Sequence, residues 1–174
     1  MWNLSESELL LTISELSVAF AGFASLASIL GRRLSKDDPR LDAGRLLNML
    51  TVSLSLTVLA LVPFLPMLLE WSPRWTWGAS GAVGVATMAL ISPSVVRRAS
   101  QMREYPGFNP TANALNYTLS VVAVVGFLVS GLGIPPANPF VAYFGSIVAL
   151  LALCAILFFR VIASLLHPGV PDAE

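Results

Sequence analysis

LLLTISELSVAFAGFASLASILGRR, residues 9–33, decides the fold class. Between Leu9 and Leu30 it holds one ionisable residue, Glu15, and it closes on Gly31, Arg32 and Arg33. At about 1.5 Å of rise per residue, these 22 residues reach roughly 33 Å as a helix, enough to cross a hydrocarbon core of about 30 Å. Paired arginines after an apolar helix mark where charge resists crossing the bilayer. Ser14, Ser17, Ala21, Ser25 and Ser28 recur at helical spacing. They form a small-residue face on which another helix backbone can come close in lipid, with Ser17, Ala21 and Ser25 as its packing residues.

Glu15 lies about six residues into this span, roughly 9 Å below the surface. An ionised carboxylate at that depth needs a partner or water, and an acid inside the membrane marks a candidate proton or cation site. A structural acid, paired with an arginine from a neighbouring loop, is the other reading of the same residue.

Composition points the same way. The chain has 174 residues, of which 56% are hydrophobic and 11% charged, and its mean hydropathy is +0.77. A soluble domain carries about 25% charged residues, and a fold of this length has too little interior to hide so much apolar surface. The surplus must face lipid. A formal net charge of zero gives no basic field for nucleic acid. With one cysteine, Cys154, and one histidine, His167, there is no ligand set for zinc, haem or an iron–sulfur centre, so no cofactor is expected. Phosphate-loop, zincin, nucleophile-elbow and dinucleotide motifs are all missing, and no nucleophile has an evident base. The expectation is a protein that is not an enzyme. Residues 1–8 carry Glu6 and Glu8 and no Lys or Arg, so the first helix reads as a retained signal anchor.

Four more apolar segments follow, giving an all-α membrane bundle of five spans in a single domain. The spans are placed at 9–30, 46–69, 75–96, 115–134 and 140–164, with long basic loops at 31–45 and 97–114. In the second span Asn48, Thr51 and Ser55 share a face and are candidates for lining an aqueous path or gluing helices together. Ser53 and Thr57 lie on another face. Pro63 and Pro66 are expected to kink its outer third. Trp71, Trp75 and Trp77 join Trp2 as an aromatic belt at one interface. Arg74 beside them is the natural partner for Glu70 and a candidate partner for Glu15, the two forming a candidate proton or ion relay. The third span is the richest in small residues: Gly78, Ala82 and Ala86 follow one spacing, and Ser80 and Gly84 another. Gly126 and Ser130 supply a packing pair in the fourth span, Gly145 and Ala149 one in the fifth.

The two long loops carry eight of the ten Lys and Arg residues, Arg160 sits on the same side and only Arg74 is opposite. That asymmetry places the N-terminus outside and the C-terminus in the cytoplasm. A four-span arrangement with a re-entrant third segment is the competing topology.

ISELSVAFAGFASLASILGRR, followed by RLLNMLTVSLSLTVLALVPFLP, resembles a group of small bacterial integral membrane proteins. These pair an E-x-x-x-A-F-A-G-F-type first helix and a basic stop with a proline-ended second helix. The resemblance covers about the first 70 residues and implies a bacterial inner membrane; it brings no activity and no site. A glutamate in the first helix is also similar to that of the small multidrug exporters, which are shorter, have four spans and lack the basic loops. The expected function is a self-associating or accessory membrane subunit whose partners are the bilayer and either a second copy or another membrane protein. The alternative is a small oligomeric channel or proton-coupled transporter using Glu15.

Overall fold

The computed structural model describes residues 4–34, 39–101, 110–134 and 138–166. The order is α1 (Leu4–Leu34), α2 (Pro39–Leu61), α3 (Phe64–Leu68), α4 (Pro73–Gln101), α5 (Pro110–Gly131) and α6 (Pro139–Leu166), with no strand among the described residues. Five segments are long and apolar enough to cross a membrane: Glu6–Ala27, Leu46–Leu68, Pro73–Gln101, Pro110–Gly131 and Pro139–Ala163. A helix keeps every backbone hydrogen bond within its own segment, which a hydrocarbon solvent demands. The third segment is one continuous helix of 29 residues, about 43 Å long.

The helices overrun the expected loops. Residues 31–34 finish α1 and residues 39–45 begin α2, while residues 97–101 belong to α4 and 110–114 to α5. Charge ends a membrane segment without ending a helix, because Arg and Lys are good helix formers. Proline supplies the punctuation instead. Pro39, Pro73, Pro110 and Pro139 each open a helix, at the position where a missing N–H costs nothing and the fixed φ is already helical. The residues before them in sequence are Asp38, Ser72, Asn109 and Asn138, all of the helix-capping type.

At the other ends, left-handed residues close the chain back. Glu70 (φ 55°) follows α3, with Trp71 N–H donating to Pro66 O and Glu70 N–H to Met67 O. Gly133 (φ 68°) follows α5, with Ile134 N–H donating to Val129 O and Gly133 N–H to Ser130 O. Both are the paired 6→1 and 5→2 closure that satisfies terminal carbonyls. Pro63 removes the donor that the carbonyl of Leu59 would use, and the Tyr143 hydroxyl of α6 donates to that carbonyl at 2.5 Å.

α2 and α6 form the middle of the bundle and are its most buried spans. On one side, α1 packs on both. Ser17 and Thr57 share a hydroxyl–hydroxyl bond of 2.6 Å, and Phe20 and Phe23 meet Phe158 of α6. On the other side, α4 and α5 pack on α6 through Trp77, Phe127, Phe140 and Tyr143, whose rings lie 5.0–5.5 Å apart in successive pairs. Trp77 is thus a core residue, 1% exposed, and not part of an interfacial belt. Trp71 and Trp75 are exposed as the belt requires, and Trp2 lies outside the described residues.

The tightest contacts are at glycines. A β-carbon on Gly81 of α4 would lie 2.6 Å from both Gly131 N and Phe127 O of α5. On Gly126 of α5 it would overlap the Ser146 hydroxyl and come within 2.9 Å of Ala142 O of α6. Neither obstacle at Gly81 can rotate away, since both are backbone. Gly145 differs: its β-carbon would meet nothing within 4 Å, so the expected close approach at Gly145 does not occur within the chain.

Gly81→Val is therefore expected to lower unfolding stability in detergent by more than about 2 kcal/mol or to prevent folding. Gly145→Ala, relieved of glycine's backbone entropy, should leave stability unchanged or raise it by up to about 1 kcal/mol. Denaturant titration of both variants checks the contrast.

Candidate functional site

The two candidate relay residues do not meet. Glu15 is exposed on α1, Arg74 is exposed at the start of α4, and neither forms an ion pair among the described residues. The Arg74 side chain lies beside Gly133 at the end of α5, and Glu70 also makes no ion pair among the described residues. α1 and α2 run antiparallel, and the Ser17–Thr57 bond sets their register. Glu15 is then level with Leu59, 11 residues or about 16 Å along the axis from Asn48.

Asn48 and Thr51 do come together, through a residue assigned from sequence only to a basic loop. Arg98, in the last turn of α4, uses Nη1 to donate to Asn48 Oδ1 at 3.1 Å and to Thr51 Oγ1 at 3.4 Å. Asn48 is buried and Arg98 half-buried, so the contact carries a cation some way into the bundle. Ser55 takes no part; its hydroxyl donates back to Thr51 O at 2.8 Å. A sequence signal for Arg98 exists. Trp77, Gly81, Gly84, Met88, Ile91, Val95 and Arg98 alternate steps of four and three, the spacing of one helical face. Ending the span at residue 96 hides it.

Beside this contact lies a cavity of about 300 Å³. Its walls come from four helices: Asn48 and Val52 of α2, one face of α4 between Met88 and Ala99, one face of α5 between Asn113 and Val125, and Leu150, Leu153 and Leu157 of α6. The cause is the glycine contact. α4 and α5 touch backbone to backbone at Gly81 and Gly131, and the cavity lies between the same two helices further towards the α4 C-terminus. Pro93 lies in the cavity-lining part of α4, where its missing N–H leaves the Ala89 carbonyl without its usual donor.

The lining changes along the axis. Asn113, Asn116, Tyr117 and Ser120 occupy the first turns of α5, while Val121, Val124 and Val125 continue it with apolar surface. Asn116 Oδ1 is buried and receives no hydrogen bond among the described residues. Val96, Val121 and Val125 line the cavity and are also exposed on the outside of the bundle, forming its lip.

The packing residues divide. Ser17 and Ala21 are buried, whereas Ser25 is exposed and bonds to Ala21 O of its own helix. Gly126 lies against Ser146, and the Ser130 hydroxyl points between Trp77 O (3.0 Å) and Pro139 O (3.4 Å), joining three helices. Gly78 lies in ordinary contact with Gly131, while Ala82 and Ala86 are exposed. The buried face of α4 is the neighbouring one, through Ser80, Gly81 and Gly84.

Among the described residues no group of His, Cys, Asp and Glu is placed to hold a metal. No family model matches the chain, and comparison with curated proteins and with solved structures gives no match.

Arg98→Gln and Asn48→Leu are each expected to destabilise the protein by about 1–3 kcal/mol, since each leaves the other's polar group without its partner. The double variant should cost less than the sum of the two, and a double-mutant cycle of unfolding free energies measures the difference.

Proposed function

We propose that this chain is a non-enzymatic multi-pass subunit of a bacterial inner membrane. It works by lateral association with a second copy of itself or with another membrane protein. The observation that carries the reading is the exposure of Ala82 and Ala86 on α4. Of the two small-residue rows legible in the sequence, the one on α1 is largely spent inside the bundle, where Ser17 and Ala21 are buried. The row on α4 faces outward beyond Gly78, beside the bulkier Val83 and Leu90. In lipid, where apolar side chains gain nothing by meeting each other, a row of single methyl groups favours association because it lets two backbones approach. The Lys and Arg asymmetry supports an outside N-terminus and a cytoplasmic C-terminus.

The alternative is a small oligomeric ion channel or proton-coupled transporter. It draws on the exposure of Glu15 on α1. An acid on the outer surface of one chain can join a pathway only where chains meet, so this reading also needs assembly.

Ala82→Leu combined with Ala86→Leu is expected to lower the assembly mass in mild detergent by light scattering. Stability should stay within about 0.5 kcal/mol, because both sites are exposed. An unchanged mass removes self-association through this row. Proton flux into proteoliposomes that Glu15→Gln abolishes supports the alternative, and flux absent from the wild type removes it.

A further inference from the structure

We infer that the cavity between α4 and α5 binds one acyl chain of a membrane phospholipid whose headgroup is anionic and bears hydroxyl groups. Four observations converge on this class of ligand. The cavity, about 300 Å³, is at the small end of ligand sites, too small for a whole diacyl lipid and suited to a single chain. It follows α5 from Asn113 to Val125, 12 residues or about 18 Å, close to the depth of one leaflet of a hydrocarbon core of about 30 Å. Its lip of Val96, Val121 and Val125 faces outward on the bundle, so a chain enters sideways from the bilayer and not through water.

The fourth observation is its polar end. Asn48 lines it there, with Asn113 and Asn116 on α5, and Arg98 stands behind Asn48, bonded to its Oδ1 at 3.1 Å. Arg98 spends Nη1 on Asn48 and Thr51, and a guanidinium carries further N–H donors that suit phosphate oxygens. Asn116 Oδ1 is a buried acceptor that lacks a donor among the described residues. A headgroup whose only charge is its phosphate and which bears hydroxyls answers both needs; a choline headgroup presents the same phosphate but sets a quaternary ammonium near the guanidinium and offers no hydroxyl to Asn116. The rest of the lipid stays in the surrounding leaflet.

The test uses the full-length protein in mild detergent with equal amounts of phosphatidylglycerol and phosphatidylcholine of the same chains, read by native mass spectrometry. One retained lipid per chain is expected, with phosphatidylglycerol preferred about tenfold, the factor that one charge-assisted hydrogen bond carries. Arg98→Gln should reduce the preference, and Arg98→Gln combined with Asn116→Leu should abolish it. Phosphatidylethanol, which is anionic but has no hydroxyl, should be retained less than phosphatidylglycerol by the wild type and equally by Asn116→Leu. Val121→Trp alters an exposed lip position and so spares the fold; it should lower retention of every lipid. Equal retention of phosphatidylglycerol and phosphatidylcholine by the wild type overturns the inference. So does a preference that Arg98→Gln leaves undiminished, or retention unaffected by Val121→Trp.

Discussion

Where Gly81 meets Gly131 and the carbonyl of Phe127, the backbones of α4 and α5 have no side chain between them. Much of the bundle's second half follows from that contact. Two stiff helices pinned at one level must separate elsewhere unless side chains fill the gap, and here the gap opens towards the α4 C-terminus as the cavity beside Arg98. The aromatic cluster of Trp77, Phe127, Phe140 and Tyr143 packs round the pinned end and ties both helices to α6. Gly126 repeats the device against Ser146 between α5 and α6. A single β-carbon at either glycine would push the helices apart and undo the packing behind it.

The second governing demand is the hydrogen bond in a solvent that offers none. Most hydroxyls in the spans answer it locally: Thr12, Ser25, Ser55, Ser120 and Ser146 each donate to a carbonyl of their own helix. Bonds between helices are fewer and more specific. Tyr143 supplies the donor that Pro63 lacks, Ser130 reaches Trp77 and Pro139, and Ser53 reaches the Cys154 sulfur at 3.6 Å. Arg98 stands apart because it brings a charge to buried Asn48, and a cation drawn inward by an amide and a hydroxyl is an unusual use of a residue so close to a helix end.

Much of the architecture is legible in the chain. Span length and low charge are one-dimensional properties, and a bilayer of fixed thickness converts them directly into a helix count. The five apolar segments, the continuous third span and the prolines at 63 and 66 all correspond to elements of the structure. Helix ends are less legible, because arginine stops a membrane segment without stopping a helix. Asn48 and Thr51 stand out as a polar pair, but their partner Arg98 is hidden by that same boundary. Trp77 reads as interfacial because tryptophan favours that level in general, whereas its burial depends on the rings that surround it.

Length and hydropathy thus establish a bundle of five helices apolar enough to span a membrane. These are properties of a segment alone in its solvent. Which face of each helix turns inward depends on neighbours that sequence spacing does not identify. The rows at Gly78–Ala82–Ala86 and at Ser80–Gly84 look equally suited to packing, and contact with α5 buries the second while leaving Ala82 and Ala86 outside. The cavity is wholly of this kind: it exists because four helices surround a space that their side chains do not fill, and no one of them encodes it.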